Sequence, residues 1–191
     1  PGFTRGQNLE KIGQHAGDTS ELFFNDLRVP ADALLGGLEG QGFVQMMREL
    51  PRERLIIGVQ AVYGAKGALD ATVKYVQERQ AFGQAIGQFQ NTRFTLAQCA
   101  SDIAAAEAFL NASVAAYERG ELSPEAASAL KLHTTEVMGR VADACLQLFG
   151  GYGYMAEYPI SRFWTDARVL RIYGGTSEIM KELVARSLLG R

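Results

Sequence analysis

Apolar and polar residues change their spacing once along this chain, from a period near two to a period near 3.6, and the change falls close to residue 38. Ahead of it Gly, polar residues and β-formers mix. The run TSELFF (19–24), then Asn25-Asp26, then Leu27-Arg28-Val29-Pro30 predicts a strand, a turn and an extended exit. Beyond Gly36-Gly37 and Gly40-Gln41-Gly42 the composition turns to Ala, Leu, Glu, Gln and Arg, which predicts helix from about residue 40 to the end. Leu55, Val59 and Val62, then Leu69, Val73 and Val76, then Ile103, Ala106, Leu110, Val114 and Tyr117 recur at three- and four-residue steps. Each stripe needs a partner helix. Ser123 before Pro124-Glu125 reads as an N-cap with proline at the first helical position, opening a third long helix through Leu130, Val137, Val141, Cys145 and Leu148 that stops at Gly150-Gly151. A short helix is expected after Pro159, and Thr176 is placed to cap a last one, with Glu178 in its first turn and Arg186 near its end.

Three long helices with short connections predict a mainly α chain, an up-down four-helix bundle preceded by the tail end of a β-domain. The domains are expected as 1–37, the end of a β-domain and linker, and 38–191, the helical bundle. Because the opening residues look like the end of something larger, the chain reads as a C-terminal piece of a longer protein.

Composition narrows the function. Apolar residues make up 47% and charged residues 21%, as in ordinary packed proteins, which argues against wholesale disorder. Nineteen Lys plus Arg against twenty-one Asp plus Glu give a net charge of −2, without the basic excess that favours nucleic acid. No stretch approaches the about 18 apolar residues of a membrane span, and the N-terminus has no secretory h-region. A soluble intracellular protein is expected, cytoplasmic in a prokaryote and in the mitochondrial matrix otherwise. Cys99 and Cys145 sit in Ala-rich helical stretches and read as small core residues. His15 and His133 lie too far apart for a local metal pair, and no metal site is expected. The sequon Asn111-Ala112-Ser113 falls in a helical run, and the single Trp164 is expected in a core or interface.

Four segments carry possible chemistry. GYGYMA (151–156) fits a loose G-x-G-x-x-A pattern but follows a helix rather than a strand, so a dinucleotide-binding turn is rejected, leaving a helix stop or a close approach to a ligand. In LPRERL (50–55), Glu53 follows Pro51 at the expected head of a helix, flanked by Arg52 and Arg54. It reads either as a solvated ion-pair cluster or as a general base whose pKa is raised by apolar walls. Arg79, ahead of Phe82-Gly83, is either a surface arginine or a phosphate fork. IYGGTSEI (172–179) sets two glycines before a hydroxyl N-cap, which is either a plain helix entry or a set of backbone N–H groups offered to a carbonyl oxygen or phosphate.

Taken in order, VPADALLG (29–36), GFVQMM, LPRERL, ERQAFGQAIGQFQ (78–90), QLFGGYGYMAEYPISRFWTDAR (147–168) and IYGGTSEIMKELVAR (172–186) resemble the C-terminal part of the acyl-CoA dehydrogenase family over essentially the whole chain. The resemblance implies a β-domain tail followed by a C-terminal four-helix bundle, FAD as cofactor, an acyl-CoA substrate oxidised to trans-2-enoyl-CoA, an electron-transferring flavoprotein as partner, and a homotetramer. Many members carry the base after the tyrosine of an I-Y-E-G-T motif, where this chain has Gly174. A branch including the long-chain and isovaleryl-CoA enzymes carries it on the helix with the E-R-L segment, which corresponds to Glu53. The resemblance therefore implies Glu53 as the catalytic base, with Arg54, Tyr173, Gly174 and Gly175 at the substrate. It places FAD contacts on Arg79, Phe82 and Gln90, on Gln147, Leu148, Phe149, Gly150 and Gly151, and on Thr176, Ser177 and Glu178, some serving a neighbouring subunit's flavin. An acyl-CoA oxidase-like flavoprotein and a non-catalytic helical assembly or CoA-binding piece are the alternatives. Alone, a piece lacking the upstream domains is expected to be inactive.

Overall fold

A computed structural model describes residues 1–190. The chain divides into two compact units, one over residues 1–49 and one from Leu50 onward. In the first, β1 (Phe3–Asn8) pairs antiparallel with β2 (Ser20–Phe24) in the register Phe3 opposite Phe24 and Arg5 opposite Leu22, with an irregularity between Arg5 and Asn8. The Phe3 and Phe24 rings lie 5.4 Å apart. The strand expected over 19–24 is therefore present, and its partner β1 is a strand that the polar run FTRGQN does not advertise.

α1 (Gly42–Glu78) begins within the first unit and runs on into the second. Pro51 stands inside it rather than at its head, which corrects the sequence expectation. The helix starts two turns earlier because nothing between Gly42 and Leu50 breaks it. The price is one missing backbone N–H at Pro51, which deprives the Met47 carbonyl of its usual helical partner.

In the second unit a hairpin, β3 (Gln80–Ala81) and β4 (Gln84–Ala85), turns at Phe82-Gly83, both with positive φ (52° and 83°). α2 (Gln90–Glu118), α3 (Pro124–Leu148), α4 (Pro159–Leu170) and α5 (Ser177–Leu189) follow. Ser123 accepts the Ala126 N–H at 3.1 Å, and Pro124 occupies the first turn, as its sequence predicts. Four helices share one core: Ala61, Val62, Ala65 and Ala68 of α1, Cys99, Ile103, Ala106 and Leu110 of α2, Leu130, Val137, Val141 and Cys145 of α3, and Ile160, Ala167 and Leu170 of α4. The small residues of α1 let its neighbours approach closely, while the branched residues of α2 and α3 fill the space between them. α5 caps the bundle through the fully buried Met180.

Two expected core positions differ. Val59 and Tyr117 are exposed because each lies at the margin of its helix's apolar stripe. Trp164 is also exposed, its ring N–H donating to Asp143 Oδ1 at 2.9 Å, so the indole lies along the surface with its polar edge satisfied. No helix among the described residues is long and apolar enough to cross a membrane.

Candidate functional site

The loop between α4 and α5 lies along one face of α1. Glu53, Ile57 and Gln60 occur at i, i+4 and i+7 and share that face. Tyr173 Oη donates to Gln60 Oε1 at 2.7 Å. A Cβ at Gly174 would stand only 2.5 Å from Ile57 Cδ1, and Gly174 has φ +65°. Gly174 is thus required both by its left-handed backbone and by the isoleucine that fills the adjoining space. One turn before Ile57, Glu53 is carried at the edge of the same loop.

Glu53 is exposed on α1, so these helices do not form the apolar enclosure anticipated around its carboxyl. The reason is angular: Arg54, Leu55, Ile57 and Gly58 form the inward stripe, and residue 53 stands at its margin, on the solvent side of Ile57. Arg54 is buried beneath the loop. Its Nη1 donates to Ser128 Oγ at 3.1 Å and its Nε to the Gly174 carbonyl at 3.3 Å. Desolvation lowers its pKa, against the attraction of Glu53.

Lys131 of α3, which sequence reading missed, is fully buried and donates to the Gly175 carbonyl. A signal existed: Lys131 stands between Ala127, Thr134 and Met138 on the inward side of α3, all buried. Burial first, and the nearby Arg54 second, bring its pKa down to about 8. Below about pH 8 the folded and unfolded chains both carry this proton, and the folded state bears the full burial penalty. From about 8 toward the ordinary 10.5, the unfolded chain keeps a proton that the folded chain has released, so stability rises with pH. Equilibrium unfolding followed by circular dichroism is expected to show this rise. Lys131→Met should remove it, and an identical slope in both proteins would contradict the assignment.

Glu136 completes the frame by accepting from Ser177 Oγ at 2.8 Å and from Arg171 Nη1 at 3.4 Å. Ser177 is buried, with its hydroxyl turned into the bundle toward Glu136. Thr176 caps α5 by accepting the Ile179 N–H at 3.4 Å. Glu178 is exposed in the first turn, its carboxyl held below the usual range by its own backbone N–H and by Thr176.

A second site lies at the other end of α1. A cleft of about 840 Å³ brings together Arg79, Phe82, Gln147, Leu148, Phe149 and Gly150-Gly151. Arg79 lies over the Tyr152 ring at 5.2 Å from its centroid, Phe82 is almost fully exposed, and Phe149 stacks on Tyr75 with centroids 4.0 Å apart. A Cβ at Gly150 or Gly151 would meet nothing within 4 Å, so backbone is open to a ligand there. A fixed cation, an exposed aromatic ring, an amide side chain and bare glycine backbone fit a flat, phosphate-bearing cofactor such as FAD. Gln90 is exposed at the start of α2 and does not line the cleft. The residues expected around FAD therefore fall into two groups. From Glu53 to Arg79 the helical rise separates the ends by about 39 Å.

Residues 40–189 match the family profile described as acyl-CoA dehydrogenase, C-terminal domain. The long-chain specific acyl-CoA dehydrogenase of Sus scrofa mitochondria is 46% identical over 188 residues, covering 98% of this chain and 44% of that protein. Among solved structures, an acyl-CoA dehydrogenase from Geobacillus kaustophilus superposes with TM-score 0.95 at 45% identity, covering 98% of this chain and 49% of that one. A glutaryl-CoA dehydrogenase from Mycobacterium smegmatis in complex with FADH2 gives TM-score 0.93 at 28% identity, covering 100% and 49%. The chain thus spans about half the length of the proteins it matches. By the profile match and by these relatives, it belongs to the acyl-CoA dehydrogenase family and represents that family's C-terminal helical domain.

Proposed function

We propose that this chain supplies the C-terminal part of an FAD-dependent acyl-CoA dehydrogenase, which converts a saturated acyl-CoA thioester to the trans-2-enoyl-CoA and delivers the electrons to an electron-transferring flavoprotein. The observation that carries the reading is the pairing of Glu53 on α1 with a glycine loop on the same helix face, where Ile57 fills the room that a side chain at 174 would need. A base on the helix and a loop that carries no side chain at 174 are complementary halves of one arrangement.

The thioester α-hydrogen is weakly acidic, so its removal needs a base on one face and donors at the carbonyl oxygen to carry the developing negative charge. Glu53 is the base. The Gly174 N–H donates to the carbonyl oxygen, and Tyr173 holds the loop against α1 through Gln60. FAD, when bound, supplies the acceptor for the β-hydride.

In this reading residues 1–37 are the end of a β-domain and 38–191 the helical domain. The Arg79 cleft and the Glu53 loop stand too far apart to serve one end of one flavin, which favours a homotetramer in which the cleft of one copy receives the FAD of another.

The test is anaerobic titration of the full-length, FAD-loaded protein with straight and branched saturated acyl-CoAs. Bleaching of the visible flavin band is expected with one class. Flavin that stays oxidised with every acyl-CoA would remove the reading, and peroxide release in air would assign it to an oxidase.

A further inference from the structure

Two buried cations meet two consecutive carbonyls beneath the 174–176 loop. Arg54 Nε donates to the Gly174 carbonyl at 3.3 Å, and Lys131 Nζ donates to the Gly175 carbonyl. The loop's two glycines have φ of +65° and +101°, so the backbone reverses over this segment. In a trans peptide the C=O and the following N–H point in opposite directions. Holding both carbonyls toward the bundle therefore turns the N–H groups of Gly175 and Thr176 away from it. Two successive N–H groups aimed the same way form a concavity suited to an acceptor oxygen.

Burying two like charges together is costly, and neither is needed to fill the core, where an apolar chain of the same length would pack. Lys131 faces Arg54 from α1, Glu136 on its own helix, and Glu178 from α5. Glu136 is already engaged by Arg171 and Ser177. The one hydrogen bond recorded for the Lys131 ammonium is the one to the Gly175 carbonyl.

We propose that Lys131, acting with Arg54, is a positioning residue that sets the Gly175 and Thr176 N–H groups as paired donors to a ligand oxygen, either the thioester carbonyl or the flavin pyrophosphate. This rests on the reading of the loop as part of the acyl-CoA and FAD site. Lys131 touches neither ligand and acts through the backbone.

Glu53→Gln is the background for the test, because a protein without its base binds saturated acyl-CoA without reacting. In full-length protein, two quantities are compared with and without Lys131→Met: the infrared band of bound [1-13C]acyl-CoA, and the dissociation constant of FAD. If the donors serve the thioester, the red shift of the carbonyl band falls by about half or more. If they serve the pyrophosphate, FAD binding weakens about tenfold, the scale of one lost hydrogen bond, while the carbonyl shift stays. Both quantities unchanged would overturn the proposal. The unliganded protein gives a separate readout. Amide exchange of segment 171–178 is expected to accelerate about tenfold in Lys131→Met, with exchange in α2 unchanged as the check that the bundle is folded. Unaltered exchange of that segment would likewise overturn the proposal. If no acyl-CoA binds either protein, the functional reading fails, and the exchange result still decides the role of Lys131.

Discussion

Glu53→Gln is expected to slow reduction of bound flavin by acyl-CoA by about two to four orders of magnitude, the usual loss when a positioned base is removed. Gln keeps the size and the hydrogen-bonding end of the side chain, and residue 53 is exposed on α1, so packing is not disturbed. FAD content should be unchanged because in this reading Glu53 acts on the substrate's α-hydrogen and is not among the residues that hold the cofactor. Stopped-flow absorbance at saturating acyl-CoA separates chemistry from binding. Near-normal flavin reduction would show that the proton leaves to another group.

The second large effect is on stability. Gly174→Ala is expected to cost about 2–3 kcal/mol, combining the left-handed backbone penalty with a displaced Ile57 rotamer. The distance responsible is the 2.5 Å from a Cβ at 174 to Ile57 Cδ1. Ile57→Val deletes that methyl and alone should cost about 1 kcal/mol. Together the two changes should cost less than their sum by about 1 kcal/mol, since the valine vacates the space the alanine needs. Urea denaturation of the four proteins measures this coupling, and strict additivity would mean that Ile57 does not fill the site.

Local chemistry explains what could be read in advance. Ser123-Pro124 and Thr176 announce their helices because a side-chain oxygen and a fixed φ act within one turn, and both caps form. The pairing of Glu53 with Gly174 follows only from the resemblance to a family, because no local rule of spacing or capping links residues so far apart in sequence. Pro51 was misread as a helix start because proline suits both a first turn and an interior kink, and only the residues before it decide. Partnerships between distant helices left no local trace. Nothing around Lys131 names Gly175 as its acceptor, and nothing around Arg79 names Tyr152. Ser177 lies in a helix-entry motif that suits ligand binding, yet Glu136, far away in sequence, claims its hydroxyl.

In the proposed reading α1 carries the base in its first third and reaches the cofactor cleft at its far end, so one helix joins two jobs. In the proposed assembly those jobs belong to different catalytic centres. A chain damaged only at Arg79 would keep its own base and fail its neighbour, whereas a chain damaged only at Glu53 would fail itself and still serve its neighbour. Mixing the two inactive chains would then rebuild some centres from sound halves. Complementation of this kind means that the severity of a lesion in such a protein would be decided by the company each chain keeps.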